Sequence, residues 1–340
     1  MSRKPLANKY RPTKFSEVTE QFSVISILEN QLRTNTHKNC YLFTGSAGTG
    51  KTTTARIFAN ELNQGQGTPI EIDAASNNGV DQVRSIIDQA KLKSLDSAFK
   101  VFIIDEVHAV SNAGFQAMLK LIEEPPAHAI FLMCTTDPQK LPATILSRVQ
   151  RFDFKKISLD GVIDRLTFVL NQEMSEGRQI EYEQTAVEYI AKIADGGMRD
   201  ALSLLDKCLS YNEELTTENV LEALGAVNYN TLCNLLIAIG EQQIEKALEI
   251  VEDVYNEGLD LVQFMKQFWL FVLDVNKYYL LKDLHYTQLP STLEKDMDKL
   301  VSKCPTKLLG DLLELNANLK RETHVKQYIE AILISWMRQL

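Results

Sequence analysis

Cysteine is scarce and poorly placed for crosslinking: Cys40, Cys134, Cys208, Cys233 and Cys304 are the five in a chain of 340 residues. An odd, widely spaced set suggests neither a disulfide framework nor a C-x-x-C metal site, and such residues usually serve as small buried hydrophobes. Long apolar runs are missing as well. No window holds 18 uninterrupted apolar residues, so no membrane span and no membrane partner are expected. Met1 to Pro12, MSRKPLANKYRP, is polar and basic without an apolar centre, unlike a targeting signal, and a cytoplasmic location is expected. Nor is there an excess of positive charge, since 36 Lys and Arg face 45 Asp and Glu for a formal net charge of −9. That balance argues against coating nucleic acid through overall charge, while a local basic stripe stays open.

What is present is globular. Hydrophobic residues make up 45% and charged residues 24%, and the length fits two or three domains. In the first half, short apolar β-branched runs alternate with amphipathic helical stretches, the pattern of an α/β fold with a parallel sheet between helices. The candidate strands are Tyr41 to Thr44, Ile70 to Ala74, Val101 to Asp105, Ile130 to Thr135 and Arg151 to Phe154. After about Lys155 the strand signal stops. Helices are expected at Leu159 to Met174, Glu183 to Ala194, Met198 to Ser210 and Thr217 to Leu224, with Gly196-Gly197 between the second and third. From about Asn228 five further helices are expected.

The chemistry concentrates in a few stretches. GSAGTGKT fits G-x-x-x-x-G-K-[ST] between a strand and a helix, the context that gives the pattern meaning. Its backbone, Gly45, Ser46, Ala47, Gly48, Thr49 and Gly50, can curl amides round a phosphate. Lys51 can reach the β and γ oxygens, Thr52 can ligate Mg²⁺, and Thr53 continues the helix whose N-terminus favours an anion. The bare pattern arises by chance in on the order of one in a hundred chains of this length. KVFIIDEVH ends an apolar strand with two carboxylates; Asp105 suits an Mg²⁺ water shell, and Glu106 can deprotonate an attacking water. Alone, such a pair is more often a solvated loop start than a site. Some fifty residues after a P-loop, it favours ATP hydrolysis over transfer to a substrate. Thr135 and Thr136 end the next strand, where either hydroxyl could bond a water or γ-phosphate. Arg148 ends a short helix, and Arg199 stands on the first turn of another behind the paired glycines.

Taken together, LANKYRPTKFSEV, GSAGTGKTTTAR, IEIDAASNNGVDQVR, KVFIIDEVHAVS, LKLIEEPPAHAIFLMCTTDPQKLPATILSR and GGMRDALSLLD resemble the gamma/tau family of the bacterial DNA polymerase III clamp loader, a family of AAA+ ATPases. The resemblance covers about the first 210 residues. It implies an AAA+ core over 1–156, a helical lid over 157–226 and a helical collar for oligomerisation over 227–340. It implies that Arg148 is an arginine finger for a neighbouring subunit, that Arg199 contacts the γ-phosphate as sensor 2, and that Thr136 is the sensor-1 residue. Tyr10, Arg11 and Pro12 would border adenine and ribose. The implied cofactors are ATP and Mg²⁺. The implied partners are copies of the chain, companion loader subunits, the sliding clamp and primer-template DNA.

The chain departs from the family pattern in places. Glu20-Gln21 stands where Gly-Gln is usual, and Ser147-Arg148-Val149 where Ser-Arg-Cys is usual. Members commonly carry a four-cysteine zinc module after the P-loop helix. Here only NQGQGTP joins helix to strand, with no cysteine between Cys40 and Cys134, so zinc is not expected. The length matches the short, loading-only form. The expected function is that of an ATP-hydrolysing clamp-loader motor. Another AAA+ DNA enzyme, such as a branch-migration helicase, and a non-hydrolysing structural subunit are the alternatives. Lys91, Lys93, Ser111 and Asn112 are candidates for DNA phosphate contact.

Overall fold

A computed structural model describes residues 4–76, 79–224, 229–287, 289, 291–319 and 322–339. The five apolar runs form one sheet: β1 (Cys40–Thr44), β2 (Ile70–Asp73), β3 (Lys100–Asp105), β4 (Ala129–Thr135) and β5 (Gln150–Asp153). Each boundary falls within one residue of the sequence reading. The strands stand in the order β2-β3-β4-β1-β5, and every neighbouring pair is parallel. Around and between them run α1 (Leu6–Lys9), α2 (Phe22–Thr34), α3 (Lys51–Leu62), α4 (Val80–Lys91), α5 (Asn112–Glu123) and α6 (Ala143–Leu146).

Alternation along each strand supplies two cores, because successive side chains leave opposite faces of a pleated sheet. Tyr41, Phe43, Ile103, Leu132 and Phe152 pack with Ile57 and Phe58 of α3 and Leu28 of α2. Leu42, Phe102, Ile104, Phe131 and Met133 pack on the other side with Val83 and Ile86 of α4, Phe115 and Met118 of α5 and Ile145 of α6. Since all strands run the same way, the ends of β1, β3 and β4 lie along one edge, with Thr44 in register with Thr135. That edge is where parallel sheets bind ligands.

Beyond β5 follow α7 (Leu159–Ser175), β6 (Glu181–Tyr182), α8 (Gln184–Ile193), α9 (Met198–Tyr211), β7 (Glu214–Leu215) and α10 (Thr217–Leu224). The four helices stand where their periodicity places them. The β6–β7 pair corrects the expectation of no strand after Lys155: it is a parallel ladder of two residues each, too short to leave an alternating pattern. Among the described residues six helices then follow rather than the expected five: α11 (Tyr229–Gly240), α12 (Ile244–Asn256), α13 (Leu261–Leu281), α14 (Met297–Lys303), α15 (Leu308–Leu319) and α16 (Val325–Gln339). At seven residues, α14 spans about two turns and carries little periodic signal.

By compactness the chain forms two units, Met1–Arg178 with Ala194–Asp206, and Gln179–Ile193 with Lys207–Leu340. The boundary read at 226/227 lies outside the described residues. In the second unit α13 is the central element. Phe264, Phe268, Phe271 and Val272 pack among Leu235 and Leu236 of α11, Val251 of α12, Leu312 and Leu315 of α15, and Ile329 and Leu333 of α16. Asp260 caps α13 by accepting from Val262 N at 2.8 Å.

The short join from α3 to β2 is closed by protein contacts. Asn63, 8% exposed, donates from Nδ2 to Phe99 O and accepts at Oδ1 from Phe99 N, both at 2.9 Å. Gln64, Gly65 and Gly67 turn the chain with positive φ, and a Cβ at Gly67 would come within 2.8 Å of Ser97. Asn63→Ala would strand both Phe99 groups away from their partner. It is expected to cost about 1–3 kcal/mol locally, read as faster amide exchange around residues 97–101 in the intact chain.

Candidate active site

The loop after β1 turns tightly because only glycine fits it at two points. A Cβ at Gly45 would meet Phe154 O at 2.4 Å, and one at Gly48, φ 71°, would meet Gly197 Cα at 3.0 Å. The second contact explains Gly197, the second of the paired glycines before α9: Met198 N donates to Gly48 O at 3.0 Å, which seats the start of α9 on the loop. Thr49 Oγ1 donates to Ser46 O at 2.8 Å, so Gly45, Ser46 and Ala47 form the stem while Gly48 to Thr53 face a cleft.

Lys51 opens α3 and is 6% exposed. Its Nζ donates to Gly45 O at 2.8 Å and Ser46 O at 2.7 Å. Burial lowers its pKa, with Glu106 and Asp105 among the groups acting the other way. Thr52 Oγ1 donates to Asp105 Oδ2 at 2.8 Å, joining the loop to the end of β3. A hydroxyl beside a carboxylate is a set of hard oxygen donors, the kind that Mg²⁺ takes.

Glu106 follows with φ 47°, a left-handed backbone that is unusual for a residue with a side chain. Its Oε2 accepts from Thr136 Oγ1 at 3.0 Å and Thr136 N at 3.3 Å. Thr135 is fully buried, and its hydroxyl oxygen accepts from Asp137 N at 3.0 Å. The geometry thus separates the two threonines: Thr136 meets the carboxylate and Thr135 does not.

The cleft measures about 310 Å³ and is lined by Tyr10, Arg11 and Pro12, by the loop from Gly48 to Thr53, and by Asp105, Arg56, Arg165 and Arg199 among others. Five cations, Arg11, Lys51, Arg56, Arg165 and Arg199, line it against one carboxylate, Asp105. In a chain of net charge −9, this is a marked local inversion of sign. Burial, then repulsion from Arg56 and Arg199, lowers the pKa of Arg11, which marks a cluster that an anion would relieve.

The N-terminal segment is fastened over this cleft. Tyr10 OH donates to Glu173 Oε1 at 2.9 Å, Lys9 Nζ to the same oxygen at 2.7 Å, Arg165 Nη2 to Tyr10 O at 3.0 Å and Leu6 N to Asp206 Oδ2 at 3.3 Å. Glu20 keeps the left-handed turn that glycine usually serves, φ 58°. Its carboxylate accepts from Ser158 N at 2.7 Å and from Ser158 Oγ, at the start of α7. Gln21 pairs both ways with the backbone of Lys155.

Arg148 stands apart from the cleft wall. It is exposed at the end of α6, where its guanidinium donates to Thr144 O at 2.8 Å and pairs with Glu123 at 2.8 Å. Lys91 pairs with Asp88, and Ser111 caps α5 by accepting from Gly114 N.

Three family models match in succession: DNA polymerase III, delta subunit, over residues 68–158; DNA polymerase III clamp loader subunit, ATPase lid domain, over 162–214; and DNA polymerase III subunits gamma and tau domain III, over 215–321. Among curated relatives, DNA polymerase III subunit gamma of Buchnera aphidicola from Acyrthosiphon pisum is 30% identical, over 80% of this chain and 80% of that protein. The chain belongs to the DNA polymerase III gamma/tau family. Subunit tau of Bacillus subtilis is 34% identical over 98% of the chain, which spans 63% of that relative's length. The gamma/tau chain also shares its fold with the Thermotoga maritima RuvB Holliday junction branch migration motor. The TM-score is 0.51 at 20% identity, over 74% of this chain and 86% of that one. The fold is that of an AAA+ P-loop protein.

Two cations of the cleft escaped the sequence reading. Arg56 lies four positions after Thr52, hence on the same face of α3, and a helical projection could have found it. Arg165 carries no such signal. It lies 155 residues from Tyr10 in sequence, and only folding brings the two together.

Proposed function

We propose that this gamma/tau chain is the ATP-hydrolysing motor subunit of a DNA sliding-clamp loader, a DNA-dependent ATPase acting in replication. The observation that carries the reading is the cleft with five cations over one acid, closed at its base by the Thr52–Asp105 pair. A triphosphate matches that charge, and family membership supplies the loader context. In this reading residues 1–156 form the ATPase core, 157–226 the lid and 227–340 the collar that joins subunits.

Lys51 exchanges its loop carbonyls for phosphate oxygens, and backbone amides of Gly48 to Thr53 bind the remaining charge. Mg²⁺, held by Thr52 and Asp105, would neutralise charge on the phosphates. Glu106 orients and deprotonates water, Thr136 keeps that carboxylate placed, and Arg199 reports the γ-phosphate to α9. Tyr10, Arg11 and Pro12 bound the base and ribose. Arg148 serves the site of a neighbouring copy or companion subunit. ATP binding then favours the state that grips clamp and primer-template DNA, and hydrolysis favours release, as a difference in affinity between the two states requires. Lys93 and Asn112 are the freer of the four candidate phosphate contacts, because Lys91 and Ser111 already serve α4 and α5.

Likeness to a branch-migration motor extends to fold alone, whereas the 30% identical relative is a polymerase III subunit. The test is reconstitution with companion subunits, clamp and primed DNA. Clamp-dependent ATP turnover and loading without strand separation are expected; clamp-independent translocation along DNA would overturn the reading. Among the described residues no single helix is long and apolar enough to cross a membrane.

Zinc has no part in this proposal, because the α3–β2 join carries no cysteine and Asn63 already closes it. Metal analysis of the purified chain should find zinc far below one equivalent. A stoichiometric content that resists dialysis would contradict it.

A further inference from the structure

One side chain in the strand-end motif has no role in the reading above. His108 follows Glu106 by two residues, in the turn Val107–Ala109 that begins from the left-handed Glu106 backbone. That reversal brings the imidazole back onto the carboxylate, with Nδ1 at 3.2 Å from Glu106 Oε2. The same nitrogen lies 2.9 Å from Thr135 Oγ1. With the proton on Nδ1 the ring donates to Thr135 Oγ1 and sets the positive end of that N–H beside Glu106 Oε2, where a bare lone pair would repel the carboxylate. Glu106 Oε2 accepts from the backbone and hydroxyl of Thr136 and also lies 3.2 Å from Nδ1 of His108. Thr135, anchored in the sheet and bonded to Asp137 N, keeps the imidazole from swinging away.

We propose that His108 is a positioning residue for hydrolysis: its imidazole, held by Thr135, stands with Nδ1 against one oxygen of Glu106 so that the other is presented to the attacking water. The inference rests on Glu106 being the base. It explains why a buried threonine hydroxyl stands beside the sensor position without touching the carboxylate itself.

The test is steady-state ATP turnover by the assembled loader with clamp and primed DNA, alongside nucleotide affinity. His108→Ala should lower kcat about tenfold while KM and nucleotide affinity stay within about twofold, the pattern of a misplaced base. His108→Asn can set an amide N–H near the place of Nδ1–H and should recover most of kcat; His108→Gln, one bond longer, should not. The inference fails if His108→Ala turns over normally, if glutamine rescues as well as asparagine, or if the variants lose nucleotide affinity together with kcat. Glu106→Gln run in parallel separates the two levels. If that variant is inactive while His108→Ala is normal, only the positioning role falls; if Glu106→Gln is active, Glu106 is not the base and this role falls with that assignment.

Discussion

Arg148→Ala should abolish stimulated ATP hydrolysis by the assembled loader, by about 10³- to 10⁵-fold, while leaving nucleotide binding near normal. The guanidinium stands apart from the walls of its own subunit's cleft, held by Thr144 O, Ser147 Oγ and Glu123. Its ion pair with Glu123 is well exposed, at 37% and 44% for the two side chains. Exposed pairs contribute about 0–1 kcal/mol, so handing the arginine to a neighbour's phosphate costs little. Mixing gives the sharper readout. Arg148→Ala subunits and subunits inactivated at their own cleft should complement wherever an intact Arg148 faces an intact cleft. Loss of nucleotide binding in place of turnover would remove the trans assignment.

Glu106→Gln should lower turnover by about 10²- to 10⁴-fold, the usual contribution of a general base. Glutamine keeps the length of the side chain and an oxygen that can accept from Thr136 Oγ1, now at 3.0 Å from Oε2. It cannot take a proton from water. Nucleotide and DNA should therefore still bind, with the assembly trapped before hydrolysis. A loss smaller than about threefold would mean that some other group activates the water.

Much of this was legible along the chain. Strands were readable because Tyr41, Leu42 and Phe43, or Phe102, Ile103 and Ile104, are short apolar runs that feed the cores on both faces of the sheet. The loop and the strand-end acids were readable because each is a local pattern of residue types, whereas the roles expected of Arg148 and Arg199 came from the family resemblance. The short elements were not: β6, β7 and α14 are set by what packs on them rather than by a period of their own. Nor were the fasteners. Glu173 looks like one more surface acid on a helix, yet it is 4% exposed and gathers Lys9 and Tyr10. Glu20 occupies a glycine position without losing the glycine conformation, because its carboxylate finds Ser158. Such pairs are invisible until residues more than a hundred positions apart are brought together.

The same fasteners bear on the order in which the site can be made. Leu6 is bonded to Asp206, and Lys9 and Tyr10 to Glu173, so the wall over the cleft joins the first residues of the chain to ones made much later. During vectorial synthesis the phosphate loop and the strand ends are complete by residue 136, but the wall cannot close until about seventy further residues have emerged. Nucleotide can reward folding only from that point on, and the growing chain must hold its sheet together without that help.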